Sequence, residues 1–352
     1  MADRQALIPD YLRALKAELA ACAHHTPLQT VYVGGGTPTL LSAGELAELL
    51  GIIRSCVQLE PSCEFTVEAN PGTLDAAKAH ALHAGGVNRV SIGAQSFDKN
   101  VLRDLGRIHG PREIRQAIGI VRDAGFDNIG LDLIFAVPGQ SMEVFDSSME
   151  AAIELGVQHL STYGLSYDEG TVFERRLRDG KMQAAPEFLW LRMYSHARRR
   201  LREAGFTHYE ISNFARPGRE CAHNCNYWLN GSYLGVGAAA TGFIDGERRA
   251  NIADIEEYIR LALLCGKAPA FRERLDPEGF ARETAAFGIR FLPGIEAQRF
   301  RERTGFELDA LFGKTIERFK DLNLLEYAGG TLRLTERALP VADSVSGEFL
   351  SE

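Results

Sequence analysis

The sequence predicts an α/β protein built on a mainly parallel sheet and followed by a smaller helical module. Three observations predict it. An apolar run, 28–33, stops at Gly34-Gly35-Gly36-Thr37-Pro38 and gives way to a helical pattern. Four junctions, Ala84-Gly85-Gly86-Val87, Ala124-Gly125-Phe126, Leu155-Gly156-Val157 and Ala204-Gly205-Phe206, each close a helical pattern and lead into an apolar segment. Glycine just past a helix accepts the left-handed turn that ends it, and strand–helix alternation at roughly 30–50 residues builds a parallel sheet, open or closed into a barrel. The third observation is where the polar residues fall. Glu68, Asn70, Gln95, Ser96, Asp132 and Ser166 lie near the ends of successive apolar segments, the end at which parallel α/β folds bind ligands.

In chain order, Pro9 suits a first helical turn, and Ile8, Tyr11, Leu12, Leu15 and Leu19 share one face. Bare backbone at 34–36 lets a ligand approach a strand end closely, and the spacing is neither the dinucleotide fingerprint nor a phosphate loop. Ser42-Ala43-Gly44-Glu45 is a capping-box pattern ahead of Leu46, Leu49, Leu50 and Ile53. Strands are predicted at 65–70, 89–95, 128–135, 159–165 and 208–211. A carboxylate inside an apolar strand is costly unless paired or facing a ligand, which singles out Asp132 and Glu68. Beyond 207 the pattern loosens, and Cys221-Ala222-His223-Asn224-Cys225-Asn226-Tyr227-Trp228 is dense in potential ligands. Helical stripes follow around Phe287, Ile289 and Leu292, and around Leu308, Leu311, Phe312, Ile316 and Phe319. A hairpin at 325–334 turns on Gly329-Gly330. The expected division is 1–215, 216–270 and 271–352, the last winged-helix-like.

Composition limits the function classes. At 352 residues and 45% hydrophobic, the chain can bury a large core. Its net charge of −8 argues against nucleic-acid or membrane-surface binding, and 271–352 carries 12 Lys/Arg against 15 Asp/Glu, so a DNA-reading wing is disfavoured. No apolar run reaches membrane-spanning length, and the start lacks a signal-peptide pattern. Six scattered cysteines are unlike a disulfide framework. The expectation is a cytoplasmic protein.

The motifs Gly34-Gly35-Gly36-Thr37-Pro38-Thr39, Glu68-Ala69-Asn70-Pro71-Gly72, Ser91-Ile92-Gly93-Ala94-Gln95-Ser96-Phe97, Gly106-Arg107-Ile108-His109, Leu131-Asp132-Leu133-Ile134 and Val137-Pro138-Gly139-Gln140 make the chain resemble the radical S-adenosylmethionine superfamily. Within it, the chain resembles the HemW-type haem chaperones, relatives of oxygen-independent coproporphyrinogen III oxidase. The resemblance covers about 7–345. It implies a partial (β/α)6 barrel with its first strand missing, plus the small C-terminal domain. It further implies that Gly35, Gly36 and Thr37 hold the methionine part of S-adenosylmethionine, with Glu68, Gln95, Arg107 and Asp132 completing the site. Arg107 offers a planar fork for a carboxylate, and Glu68 can take an ammonium or ribose hydroxyls. His223-Asn224-Cys225-Asn226-Tyr227 fits the His-Asn-x-x-Tyr pattern of the haem-chaperone branch, which makes His223 the candidate axial haem ligand and Tyr227 a supporting contact. The implied partners are haem and haem-accepting proteins. The decarboxylating oxidase is the alternative, and it leaves the His-Asn-x-x-Tyr element unused.

The family's Cys-x3-Cys-x2-Cys motif, which holds a 4Fe–4S cluster, is expected just before Pro9 and is not found among the 352 residues. Cys221-x3-Cys225 begins with the right spacing but places Trp228 third, and Cys22, Cys56 and Cys63 are read as lying in or beside helices. The expectation is a chain shortened at its start, or otherwise a cluster-less variant. No radical chemistry is expected of these residues alone.

Overall fold

The structure is a computed structural model and describes residues 2–22 and 26–351. In chain order its elements are α1 (Ile8–Ala21), β1 (Leu28–Val33), α2 (Ala43–Cys56), β2 (Leu59–Ala69), α3 (Ala76–Ala84), β3 (Arg89–Gln95), α4 (Lys99–Asp104), α5 (Pro111–Asp123), β4 (Ile129–Phe135), α6 (Met142–Glu154), β5 (His159–Gly164), α7 (Val172–Arg178), α8 (Glu187–Glu203), β6 (Thr207–His208), β7 (Asn213–Ala215) and α9 (Ala222–Trp228). There follow β8 (Thr241–Ile244), β9 (Glu247–Asn251), α10 (Ile255–Cys265), β10 (Pro269–Arg274), α11 (Pro277–Gly288), β11 (Ile295–Glu296), α12 (Ala297–Thr304), α13 (Leu308–Asp321), β12 (Leu325–Ala328), β13 (Thr331–Leu334) and α14 (Ala342–Glu348).

The main sheet has the strand order β1-β2-β3-β4-β5-β7-β6. Strands β2 to β5 run parallel, whereas β7 is antiparallel to β5 and β6 is antiparallel to β7. The chain divides into two compact units. One holds 1–35, 43–64 and 222–352, and the other holds 36–42 and 65–221.

In the second unit the junction glycines behave as their positions require. Gly86, Gly125, Gly156 and Gly205 all take positive φ, between 63° and 101°, where a Cβ would be strained. Helices start on side-chain caps: Asp75 accepts from Lys78 N at 2.8 Å, Asp98 from Asn100 N at 2.9 Å, and Ser141 from Val144 N at 3.3 Å. Ile114, Ala117, Ile118 and Val121 of α5, and Phe145, Met149 and Ala152 of α6, are buried. So are Val67, Val90, Ile92, Leu131, Leu133 and Leu160, the apolar alternate positions of the strands.

Two readings change here. Of the segment predicted as a strand at 208–211, only His208 lies in the observed strand, Thr207–His208. Glu210 diverts the rest: its carboxylate accepts from Ser212 N at 3.2 Å and its carbonyl from Asn213 N at 3.3 Å, so the chain turns and returns as the antiparallel β7. Cys63, expected in or beside a helix, lies inside β2 and is buried. That strand starts at Leu59, well before the predicted Phe65.

In the first unit, β10-β9-β8 form an antiparallel sheet. Glu18 of α1 is buried and gathers its surroundings: Tyr258 Oη donates to it at 2.6 Å, Gly237 N at 2.9 Å and Asn251 Nδ2 at 2.6 Å. A buried carboxylate is tolerated when its lone pairs are met in this way. The C-terminal core gathers Ile289, Phe300, Leu308, Phe312, Ile316, Phe319, Leu325, Leu332 and Phe349. The predicted hairpin is β12–β13, and both Gly329 and Gly330 have positive φ (59° and 75°), as a two-residue turn between twisted strands demands. Leu292 lies past the end of α11, a helix shorter than its stripe suggested. Among the described residues no helix is long and apolar enough to cross a membrane.

Candidate functional site

Strands β2 to β7 carry one apolar face and one polar face. Register sets Glu68 beside Ser91, Ser91 beside Gly130, Gly130 beside His159, Asp132 beside Ser161, and Ser161 beside Asn213. A parallel sheet covered on both faces by apolar layers would read as continuous hydrophobic runs. The alternate polar positions here face something other than an oily core.

Asp132 sits centrally on that face. Desolvation raises its carboxyl above the ordinary range, against the hydrogen bond from Ser161, the Arg89 guanidinium and a weak one from Ser91, while Glu68 adds to the rise. Ser91 Oγ lies 3.5 Å from Asp132 Oδ1. Arg107 belongs to the same electrostatic group, since desolvation lowers its pKa and Asp132 works against that. Asp132, Glu68 and Arg107, separated by up to 64 positions in the chain, thus act on one another through Asp132.

Gln95 closes β3 in the left-handed region, φ 66°, next to a register shift against β4. Non-glycine residues are rarely held there, and such strain gathers at ligand sites. Its side chain folds back over Gly93, where a Cβ would come within 2.8 Å of Gln95 Nε2. Thr37 precedes a 3-10 turn at Pro38–Leu40. The Thr37–Leu40 turn is tied to the loop after β2: Thr39 Oγ1 lies 2.6 Å from Thr73 Oγ1 and accepts from Asn70 N at 3.2 Å. Lys78 Nζ donates to the carbonyls of Thr39 and Thr73 at 2.7 and 2.8 Å. Gly36 and Thr37 belong to this unit, and Gly35 closes the first stretch of the other. Gly35 has φ 82°, and Gly35 and Gly36 are exposed, with open space where a Cβ would stand on either.

The second cluster lies in the first unit. Helix α9 starts where Glu64 accepts from Ala222 N and His223 N, both at 3.1 Å, a carboxylate at a helix N-terminus. This holds His223 against β1. Its Nδ1 lies 2.8 Å from Thr30 Oγ1, its ring stacks on Tyr32 with centroids 5.2 Å apart, and its Nε2 lies 2.9 Å from Tyr227 Oη. Tyr227 meets the His223 ring edge-on at 4.8 Å and Tyr233 at 4.7 Å. Asn226 fixes the turn behind them by donating to Ser232 O at 3.1 Å. The helix thus brings His223 and Tyr227, four positions apart, onto one face.

Sequence reasoning missed Ser91, Ser161, Asn213 and Arg89 around Asp132, and Thr30, Tyr32 and Glu64 around His223. A usable signal existed for most of them. Arg89-x-Ser91, His159-x-Ser161 and Thr30-x-Tyr32 alternate polar or aromatic residues with the apolar Val90, Leu160 and Val31, the period of a strand with two unlike faces. Among the described residues, no group of three His, Cys, Asp or Glu side chains is placed to hold a metal ion.

Comparison with known proteins adds the following. The Radical SAM superfamily model matches residues 7–152 and the HemN C-terminal domain model matches 275–341. The chain is 34% identical to the heme chaperone HemW of Bacillus subtilis, over 98% of this chain and 92% of that protein. It is 36% identical to the heme chaperone HemW of Mycobacterium tuberculosis strain H37Rv, over 96% and 85%. The solved structure of coproporphyrinogen III oxidase (HemN) from Escherichia coli, described as a radical SAM enzyme, superposes with a TM-score of 0.86 over 99% of this chain and 84% of that one, at 21% identity. That likeness shows the fold: the radical-SAM partial barrel with its C-terminal domain.

Proposed function

The chain belongs to the family of HemW heme chaperones, built on a radical SAM scaffold, and from that premise we propose that it binds haem through His223 and Tyr227 and passes it to haem-accepting proteins. One observation carries the reading. His223 is held on three sides, by the Glu64 carboxylate at its backbone, Thr30 at Nδ1 and Tyr32 against its ring, and its remaining nitrogen lies 2.9 Å from the Tyr227 hydroxyl. When Nδ1 donates to Thr30, Nε2 keeps its lone pair and accepts from Tyr227. That is the tautomer an iron ligand requires, and a hydrogen bond at the far nitrogen sets it. In this reading the Tyr227 hydroxyl holds the lone pair until the cargo replaces it.

The family implies S-adenosylmethionine and a 4Fe–4S cluster. The residues around Asp132 fit the first. Arg107 suits an amino-acid carboxylate, Glu68 an ammonium or ribose hydroxyls, and Gln95 and Asp132 further polar groups, and the same unit holds the exposed Gly36. Bound there, the cofactor would supply a reactive sulfonium, while these side chains bind and orient its polar end. The six cysteines of this chain do not fit the cluster, since none stands in Cys-x3-Cys-x2-Cys and Cys225 lies on α9. No radical step is derived from them. The likeness to the oxidase shows fold alone and favours no second reading.

Haem titration of the full chain, followed by the absorbance of the bound porphyrin, tests the proposal. The His223→Ala, Tyr227→Ala double variant is expected to lose the stoichiometric band, and Thr30→Val to weaken binding several-fold with an unchanged fold by circular dichroism. Retention of full stoichiometry by the double variant would place the haem elsewhere.

A further inference from the structure

The polar face of the main sheet holds a deep cation to which neither site gives a task. Arg89 opens β3, is 2% exposed and stands in register with Thr66 of β2. A guanidinium removed from water is costly unless an opposite charge lies within reach. Its room comes from Gly130 on β4. Arg89 Nη2, Ser91 Oγ and His159 Nδ1 lie 3.2, 3.3 and 3.6 Å from the point where a Cβ on Gly130 would stand, so polar groups from β3 and β5 gather over one bare stretch of backbone.

Asp132 is two residues beyond Gly130 on the same face of β4, about 7 Å further along the strand. Ser91 links the two levels, since its Oγ also lies 3.5 Å from Asp132 Oδ1. The guanidinium is therefore set one layer beneath the carboxylate. The two differ in access. Asp132 is only part-buried, whereas Arg89 is closed off, so a ligand at the strand ends meets the carboxylate and not the guanidinium.

The other charged and titratable groups facing Asp132 do not replace Arg89. Glu68 of β2 has the same sign as Asp132 and opposes its charge. Arg107, after α4, is exposed and suits the ligand's own carboxylate. His159 of β5, whose Nε2 lies 2.8 Å from Tyr209 Oη, is kept neutral by burial and then by the charge of Arg89 itself. Tyr163 of β5 is held un-ionised by burial, then by Asp132 and Glu210. Ser161 and Ser91 donate hydrogen bonds without charge.

We propose that Arg89 is a positioning residue for S-adenosylmethionine, acting through Asp132: from beneath, it keeps that carboxylate an oriented anion that accepts from the ligand. The proposal rests on the reading that Asp132 contacts the cofactor. A carboxyl that took up a proton would present a donor where the ligand's hydroxyl, amide or ammonium hydrogens need an acceptor. Arg89 supplies the opposing charge without occupying any of the space the ligand needs.

Calorimetric titration of the full chain with S-adenosylmethionine from about pH 5 to 8.5 tests this, the ligand's α-amino group being the same in every arm. Each variant is expressed as the ratio of its Kd to the parent's at the same pH. Only ionised Asp132 accepts, so affinity falls as pH drops through its pKa, and removing the cation moves that fall to higher pH. Arg89→Met and Arg89→Gln are expected to weaken binding about tenfold at pH 7, a loss that shrinks toward pH 8.5. Arg89→Lys, which keeps the charge, should stay within about threefold of the parent throughout. In an Asp132→Asn background, Arg89→Met should cost less than about twofold more. A weakened Asp132→Asn together with Arg89 variants whose ratio does not change with pH would overturn the role of Arg89 alone. Undiminished binding by Asp132→Asn would instead remove Asp132 from the cofactor site and take both readings down. Should Arg89→Met and Arg89→Gln not fold by circular dichroism, adding Asp132→Asn is expected to restore folding, because the harm comes from a charge left unpaired. A double variant that stays unfolded would mean that Arg89 serves packing only, against the proposal.

Discussion

Asp132 shows what a single side chain contributes and costs. Burial lifts its carboxyl above the ordinary range, so the ionised form opposes folding. For an acid raised in the folded state, the cost is absent below the ordinary carboxylate range and grows as pH rises through it. The ligand-free Asp132→Asn protein is therefore expected to melt at or above the parent temperature at pH 7 and to lose the parent's gain on mild acidification. S-adenosylmethionine binding by calorimetry should weaken about tenfold or more, the scale of a charge-assisted hydrogen bond. A variant that melts lower at pH 7 yet binds the cofactor as tightly would contradict both halves. At this scale the sequence was informative about Asp132 itself, because a carboxylate in Ile129-Gly130-Leu131-Asp132-Leu133-Ile134 is out of place in an apolar strand. It was silent about Thr30 and Glu64, whose meaning depends on α9 arriving from 193 and 159 positions away.

Elements were legible where local chemistry and fold agree. Strand 89–95 and the four junction glycines came out as predicted, because a helix end and an apolar run are decided by a few neighbouring residues. The β6–β7 corner was not legible: its geometry is set by Glu210 closing a turn onto Ser212 and Asn213, a side-chain choice that overrides the apolar pattern of 208–211. The sheet β8–β10 offers a test at this scale. Glu247 is buried and accepts from Arg272 at 2.6 Å, from Arg249, and from Arg274 at 3.2 Å. The hydrogen bond from Arg272, opposed by desolvation and helped by Arg249, brings its carboxyl down to about 2. A depressed acid stabilises the fold above its ordinary value, about 4.3, and that contribution is lost as pH falls from there to about 2. Glu247→Gln should flatten this part of the acid-unfolding curve; an unchanged curve would show that the arginines do not depend on the charge. Gly235 is a second test. A Cβ there would lie 2.2 Å from the Thr241 carbonyl oxygen, which is backbone and cannot step aside. Gly235→Ala should cost about 2 kcal/mol in denaturant unfolding.

The whole molecule has only two tryptophans, and each unit contains one. Trp190 of α8 packs against Phe135 and Tyr194, 5.4 and 5.3 Å between centroids, and Trp228 ends α9 beneath the Arg290 guanidinium at 4.8 Å. Chains of more than one unit often unfold in more than one step. In urea, Trp228→Phe and Trp190→Phe variants are expected to report different midpoints. S-adenosylmethionine at a hundred times its Kd should add about 2.7 kcal/mol to the transition seen through Trp190 and leave that seen through Trp228 in place. Coincident midpoints that shift together would mean a single cooperative body.

The Glu64 carboxylate, described above as the cap of α9, has a genetic consequence. The long stretch 65–221 leaves the first unit immediately after Glu64 and rejoins it at Ala222, and that carboxylate bonds the returning backbone at 3.1 Å. Departure and return therefore meet at one point, the arrangement of a cassette spliced into a host gene. A recombination event that exchanges everything between those two codons would swap the strands that carry Glu68, Gln95 and Asp132 while leaving the supports of His223, namely Thr30 and Tyr32 on β1 and Glu64 on β2, in their original reading frame.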